Sequence, residues 1–518
     1  MGFCVLLVYY ILATLITISV LLHGHMQRRR SRCPWPASAS PPPPPGPAGN
    51  PLLGNLLYVI GPLRHNPHRG LASLAATFGP VLSLRLGLTR TLVVVSSAAA
   101  AHEALSKNDA ALAARLVPDN VCALSYGTTS MVFLPSSDHL WRQLRVVIGA
   151  GFSSARGLDA IRPVLERRAG ELAAYLRANS GTAVNVREAV NGTVLNVISN
   201  VLFSEDVDVV DLREQGTQIF KGLIVPVLEE WSKPSVCDAF HFFAPLEHLL
   251  GSRRRISTHL AKLYKFFDQG IIERRLSDDS GEKKHNDLLD VLLSRLAVSK
   301  LTRQQITTFL TDMFIAASDT STNTVQWAMA QLLRHPEKMK KVAVELDEQL
   351  GSQDVIMESD LIKLLYLHAV VKETLRLHPA VPITPREAVA DDVSLGGFDV
   401  PKGTGVVVNL WAIGRDESVW PCPEEFIPER FLPGKEMSCA MTGNKDFVYR
   451  PFGAGRRVCP GMEYTARSVP LLLASILHKI QWELPGGMAP EDMDLSDRYG
   501  TVLNLANPLR AVPVVSSV

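Results

Sequence analysis

PFGAGRRVCPG, Pro451 to Gly461, decides how the rest of the chain is read. Gly453, Gly455 and Gly461 let backbone amides approach the sulfur of Cys459, because a residue without Cβ leaves room and tolerates left-handed backbone. The apolar run Tyr464 to Leu477 follows at once and predicts a helix whose N-terminus points at that sulfur. Such surroundings favour the thiolate, the form of cysteine that ligates a metal. A lone cysteine is otherwise a small apolar core residue, but the spaced pattern Phe452-x-x-Gly455-x-Arg457-x-Cys459-x-Gly461 favours ligation.

The remaining composition narrows what the metal can be. Among 518 residues, 53 Lys and Arg nearly cancel 51 Asp and Glu, with no basic stripe interleaved with aromatics, which argues against nucleic acid as a partner. The seven cysteines are odd in number and widely spaced, which suits reduced thiols. Neither paired CxxC nor HExxH occurs, so any metal must come with few protein ligands, which leaves a single-ligand cofactor open.

Residues 2–22, GFCVLLVYYILATLITISVLL, carry no charge and are long enough to cross a bilayer as one helix. Arg28, Arg29, Arg30 and Arg32 follow with no Lys or Arg ahead of the span, which places the downstream chain in the cytoplasm. The expected organisation is a transmembrane anchor at 1–27, a basic and proline-rich hinge at 28–54, and one functional domain at 55–518. A cleaved signal peptide ending near Ala37-Ser38-Ala39 is the rival, with the charge on the wrong side and the apolar run too long. Pro41 to Pro51 cannot continue a helix and reads as a semi-rigid spacer or a disordered linker. The sequon Asn191-Gly192-Thr193 would go unused in a cytosolic domain.

Beyond the hinge the chain reads as mainly α. Helical patterns cover Leu140 to Ile148, Ile161 to Asn179, Arg253 to Leu276, Thr302 to Arg334, Pro336 to Leu350 and Ser359 to Leu377. A hairpin is expected at Val81 to Gly87 and Thr91 to Ser96, with a smaller strand patch around Val393 to Leu410. The longest helix opens on the capping box Thr302 to Gln305 and stops at His335-Pro336. Its middle, AASDTSTNT from Ala316 to Thr324, gathers poor helix formers, which implies that something besides side-chain packing occupies that face. Glu373 with Arg376, and Trp141 with Arg145, each share a helix face, although alone such pairs are ordinary surface patterns. Gly453-Ala454-Gly455 breaks GxGxxG at Val458, so no nicotinamide or flavin site is expected.

The Cys459 stretch resembles the haem-binding loop of the cytochrome P-450 superfamily, and the likeness spans nearly everything after the apolar N-terminus. It implies a helical body with small β-sheets behind a single N-terminal transmembrane helix. It implies haem b, with Cys459 as thiolate ligand in a loop that includes Phe452 and Gly461, and Arg457, Trp141, Arg145 and Arg386 at the propionates. Glu373, Arg376 and Arg430 correspond to a structural charge triad. Ala316 to Ser321 resembles the oxygen-activating segment, with Asp319 and Thr320 delivering protons and Ala317 standing where glycine is usual. By family position, substrate meets the Leu116 to Val132 loop, Ile315, Ala316, Val381 to Thr384 (Ile383 among them), Thr501 and Val502.

The resemblance further implies O2 as co-substrate and electrons from NADPH through a membrane-bound flavoprotein reductase, docked by Arg142, Arg456 and neighbouring basic residues. It implies a single-pass protein of the endoplasmic reticulum with a cytoplasmic catalytic domain. AASDTSTNTVQWAMAQLL, GMEYTARSVPLLLASILH and the hinge PPGPAGNPLLG are most similar to the plant geraniol-hydroxylase-like group, which oxidises mono- and diterpenoids. The implied reaction inserts one oxygen atom into a small to medium apolar terpenoid. A haem-thiolate isomerase or dehydratase, and a tethered haem carrier or sensor, are the alternatives; Asp319, Thr320 and the unbroken loop favour the hydroxylase.

Overall fold

Val81–Leu86 (β1) and Arg90–Val95 (β2), the latter rich in β-branched residues, pair antiparallel, with Val81 opposite Val95. Gly405–Asn409 (β4) joins β2 in parallel, and Ile383–Glu387 (β3) closes the sheet against β4, giving the order β1-β2-β4-β3. β3 was not expected as a strand: Pro382 precedes it and Pro385 lies within it, accommodated because β3 lies on the sheet edge, where a missing donor costs little. The strand patch expected up to Leu410 is three pieces: a small hairpin of Val393–Leu395 with Phe398–Val400, and then β4. The computed structural model describes residues 43–61, 63–87, 90–206, 220–233, 235–239, 251–277, 287–435 and 437–515. The apolar run at 2–22 and the arginines after it lie outside these, and among the described residues no helix is long and apolar enough to cross a membrane.

Outside the sheets the chain is mainly helical. The helices used below are α1 (His139–Phe152), α2 (Ala155–Ala178), α3 (Val186–Phe203), α4 (Ser252–Phe267), α5 (Arg303–Arg334), α6 (Pro336–Leu350), α7 (Leu365–Leu377) and α8 (Met462–Leu477). α5 starts where the capping box placed it: Thr302 Oγ1 accepts from the Gln305 amide at 3.2 Å and Gln305 Oε1 from the Thr302 amide at 2.9 Å. The stretch expected as one helix from Ser359 breaks into a tight turn at Glu358–Lys363 and α7. The carboxylate of Glu345 on α6 accepts from the Tyr366 and Leu367 amides at 2.6 and 2.9 Å, supplying the free first-turn donors of α7 with partners.

α3 was not read from periodicity. It is buried on nearly every side, so no polar stripe reveals its turn. It packs along α5, and α5 also packs on α7 and α8, with Phe309, Phe314 and Trp327 buried in the shared core. The small residues of Ala316 to Thr324 permit that close approach; Asn191 of α3 donates to Thr322 Oγ1 at 3.3 Å. Asn191 is buried inside α3, which would hinder modification of its sequon sterically. Only Ala316, Ala317 and Thr320 interrupt the buried run from Thr307 to Leu333 on α5, so the face left open is much narrower than the composition implied.

Candidate active site

The cysteine loop is a set of backbone bonds that leave its sulfur pointing inward. The Cys459 amide donates to the Phe452 carbonyl at 3.0 Å, and the Val458 amide to Gly455 at 3.0 Å. Gly455 has φ +69°, and a Cβ there would meet Asp109 Oδ1 at 2.1 Å, so both conformation and space require glycine. α8 begins directly after Gly461, whose amide donates to the Cys459 sulfur. The thiolate expected from these features is nevertheless not favoured by the chain alone: burial raises the thiol pKa, opposed by the Gly461 amide and the Arg145 charge.

Four arginines gather beside this loop. Arg457 is buried, donating from Nε to Ala113 O at 2.6 Å and from Nη1 to Met131 O at 3.2 Å, with its guanidinium carbon 5.1 Å from the Trp141 ring centre. Arg145, one turn along α1 from Trp141, donates to Val458 O at 2.8 Å and lies 6.0 Å from the same ring. Arg386 on β3 donates to the Pro385 carbonyl at 2.9 Å. Arg115 was not anticipated; a bridge between Ala114 and Glu387 brings it next to Arg386, and its Nε is buried without a partner. Burial, reinforced by Arg115, lowers the pKa of both Arg386 and Arg457 to about 9, and burial lowers that of Arg115 to about 10. Clustered buried cations with carbonyl partners and an orphaned donor fit a ligand carrying two carboxylates, as a haem edge does.

The triad residues converge. Arg376 donates from Nε and Nη2 to the two oxygens of Glu373, each at 2.7 Å, with both side chains fully buried. Arg430 lies 3.4 Å from Glu373 Oε1 and donates to Cys422 O at 2.8 Å. Arg376 also donates to the carbonyls of Gly414, Pro423 and Glu425 at 2.6, 2.7 and 3.0 Å, which ties α7 to the segment leading into the cysteine loop.

Asp319 and Thr320 are parted by the helix, since successive side chains point about 100° apart. Asp319 is buried against α3, paired with Arg187, which also donates to Asn504 Oδ1 at 2.6 Å. Burial raises the Asp319 pKa and the Arg187 charge opposes it. Thr320 faces the open side and donates to Ala316 O at 2.9 Å. α5 continues as regular helix through Ala317.

The residues expected at substrate divide. Ala316 is exposed on the open face, whereas Ile315 is buried in the main core. Thr501 Oγ1 lies 3.5 Å from the Leu228 carbonyl of the short helix Val225–Ser232, and Val502 is buried. The Leu503 amide donates to Ala380 O at 3.0 Å, bringing that strand beside the exposed Val381. Ile383 turns the other way, into the satellite cluster of Leu71, Leu82 and Leu84 beneath the sheet. Of the two basic residues assigned to docking, Arg142 is exposed, and Arg456 is exposed but pairs with Asp109 at 3.4 Å.

A helical body with small sheets, a cysteine on a glycine-shaped loop and arginines beside it that pair with no carboxylate among the described residues fit a haem-thiolate protein. The chain belongs to the cytochrome P450 family, whose model matches residues 43–509. It is therefore a haem-dependent monooxygenase by family. It is 44% identical over 476 residues to oryzalexin E synthase of Oryza sativa subsp. japonica, covering 91% of each chain. It is 41% identical to ent-cassadiene C11-alpha-hydroxylase 1 of the same plant over 90% of this chain and 92% of that protein. Geraniol 8-hydroxylase of Catharanthus roseus is 41% identical over 90% of this chain and 93% of that protein.

Proposed function

We propose that this protein hydroxylates a mono- or diterpenoid, with Cys459 as the haem ligand and Arg115, Arg145, Arg386, Arg457 and Trp141 at the propionates. The carrying observation is the Cys459 sulfur, on a loop held by backbone bonds, beside buried arginines that have no carboxylate of their own. Haem bound through this sulfur supplies oxygen activation, with thiolate donation favouring O–O cleavage. One oxygen atom enters the substrate and the other leaves as water, which requires two electrons and two protons. Thr320 offers the hydroxyl on the open face; to donate there it must release the Ala316 carbonyl. Asp319, held by Arg187, is the acid one residue away. The terpenoid class rests on the relatives and on the apolar and small residues expected at substrate, such as Ala316 and Val381.

The electrons come from NADPH through a flavoprotein reductase that meets the face carrying Arg142 and Arg456, and the protein sits on the endoplasmic reticulum by the apolar run at 2–22. These two statements rest on the family and on the N-terminal sequence. The test is reconstitution with that reductase, NADPH and O2 against a panel of mono- and diterpenes. A product heavier by one oxygen, with matching NADPH consumption, is expected; turnover that needs neither reductase nor NADPH would place the chain with the isomerases instead.

A further prediction concerns the proton path. Thr320→Ala should bind haem normally and consume NADPH, yet release much of the reducing power as hydrogen peroxide, lowering product per NADPH by about tenfold or more. Full coupling in that variant would remove Thr320 from the path.

A further inference from the structure

Gln304, Thr308, Asp312, Ala316 and Thr320 follow one another at intervals of four along α5, forming a ridge that winds slowly around the helix. Its first three members hold the segment 124–131. Gln304 donates to the Leu124 carbonyl at 3.2 Å. Thr308 Oγ1 lies 3.2 Å from Thr129 Oγ1 and 2.9 Å from the hydroxyl of Tyr264 on α4. The Asp312 carboxylate is buried and accepts from the Tyr126 hydroxyl, from Ser130 Oγ at 2.8 and 3.0 Å, and from the Met131 amide at 2.8 Å. The last two members, Ala316 and Thr320, are the open part of α5.

Two further observations show that the segment is held, not merely resting there. Leu124 and Ser125 both adopt left-handed backbone, φ +49° and +61°, which non-glycine residues keep only when their surroundings impose it. The Met131 backbone is gripped at both ends, its amide by Asp312 and its carbonyl by Arg457 of the cysteine loop. A carboxylate is costly to bury and is unneeded for packing; burial raises its pKa to about 6, and four donors from Tyr126, Ser130, Met131 and Val132 oppose that shift. At the start of the ridge, Leu124 and Ser125 line an open cleft of about 540 Å³ with Tyr264, Gln304 and Thr307.

We propose that Asp312 is a positioning residue of the oxidation: through Tyr126, Ser130 and Met131 it fixes the segment 124–131 beside the open Ala316 and Thr320 face, and so sets which carbon of the substrate is presented. This rests on the terpenoid-oxidising reading above. Asp312→Asn keeps the shape of the side chain but offers an amide nitrogen where donors converge, and the Met131 amide cannot reverse its role. Asp312→Ala removes every acceptor.

The test compares wild type, Asp312→Asn and Asp312→Ala as haem-loaded full-length protein, with geraniol and a tricyclic diterpene hydrocarbon as probes. Both variants should retain the ferrous-carbonyl spectrum. Backbone amides at 126–132 should exchange with solvent about tenfold faster or more. The KM for the probe should rise more than kcat falls, and the ratio of positional products should shift. Unchanged exchange overturns the anchor. Faster exchange with wild-type KM and product ratio reduces Asp312 to a purely structural role and overturns the proposal. If Asp312→Ala does not fold, Tyr126→Phe combined with Thr308→Val removes two rungs without leaving an unpaired charge, and must show the same exchange and product shifts. Should wild type oxidise neither probe, the substrate reading fails by itself, and the exchange measurement still decides the anchor.

Discussion

Cys459→Ser should yield folded protein that no longer shows the red-shifted Soret band of a thiolate-ligated ferrous carbonyl. The fold survives because the bonds shaping the loop are made by backbone, from the Cys459 amide to Phe452 and from Val458 to Gly455. A serine hydroxyl fits the space and can accept from the Gly461 amide, but it does not ionise at neutral pH as a metal-bound thiol does. Reductase-driven oxygenation should fall by more than the about 10–100-fold that loss of a supporting residue around a metal ligand costs. Circular dichroism and thermal unfolding check the fold, and the carbonyl difference spectrum checks the ligand. A variant with the red-shifted band intact would remove the foundation of the proposed function.

The second large effect is on stability. Glu373→Ala deletes the acceptor for both Arg376 bonds, for the Ile427 amide at 2.8 Å and for Arg430. Breaking a buried pair by removing one partner costs about 3–5 kcal/mol, because the other charge stays buried and uncompensated. Against the about 5–15 kcal/mol that separates folded from unfolded domains, this is enough to empty much of the native population. Low recovery of haem-loaded protein and a sharply reduced Tm are the expected outcomes. Arg430→Ala should cost less, since its distance to Glu373 is 3.4 Å and Arg376 still satisfies both carboxylate oxygens. Wild-type Tm for Glu373→Ala would show that the triad carries no stability.

These two variants fall on residues that a linear reading finds, while Asp312 and Arg115 do not. Cys459 and its glycines lie within eleven residues, so local pattern exposes them, whereas Glu373 and Arg376 share a helical turn as many surface pairs do and stand out through the family resemblance. Asp312 sits in an apolar run where it reads as one polar residue of a helix; its partners are 181 to 186 positions away. Arg115 has no motif around it, and only the bridge from Ala114 to Glu387 places it beside Arg386. The partner of Asp319 was likewise hidden, because Arg187 opens a helix whose all-round burial leaves no periodic signal.

The sequence by itself determined the helical body, the start of α5 at its capping box and the cysteine loop, because each depends on neighbours a few residues apart. The tertiary structure alone decided that Asp319 pairs with Arg187 of α3 while Thr320 is left on the open side, that Ile383 turns beneath the sheet, and that four arginines meet beside Cys459. Those outcomes depend on which distant surfaces pack together, and that choice is made by the burial of whole helices and strands rather than by any short stretch of residues.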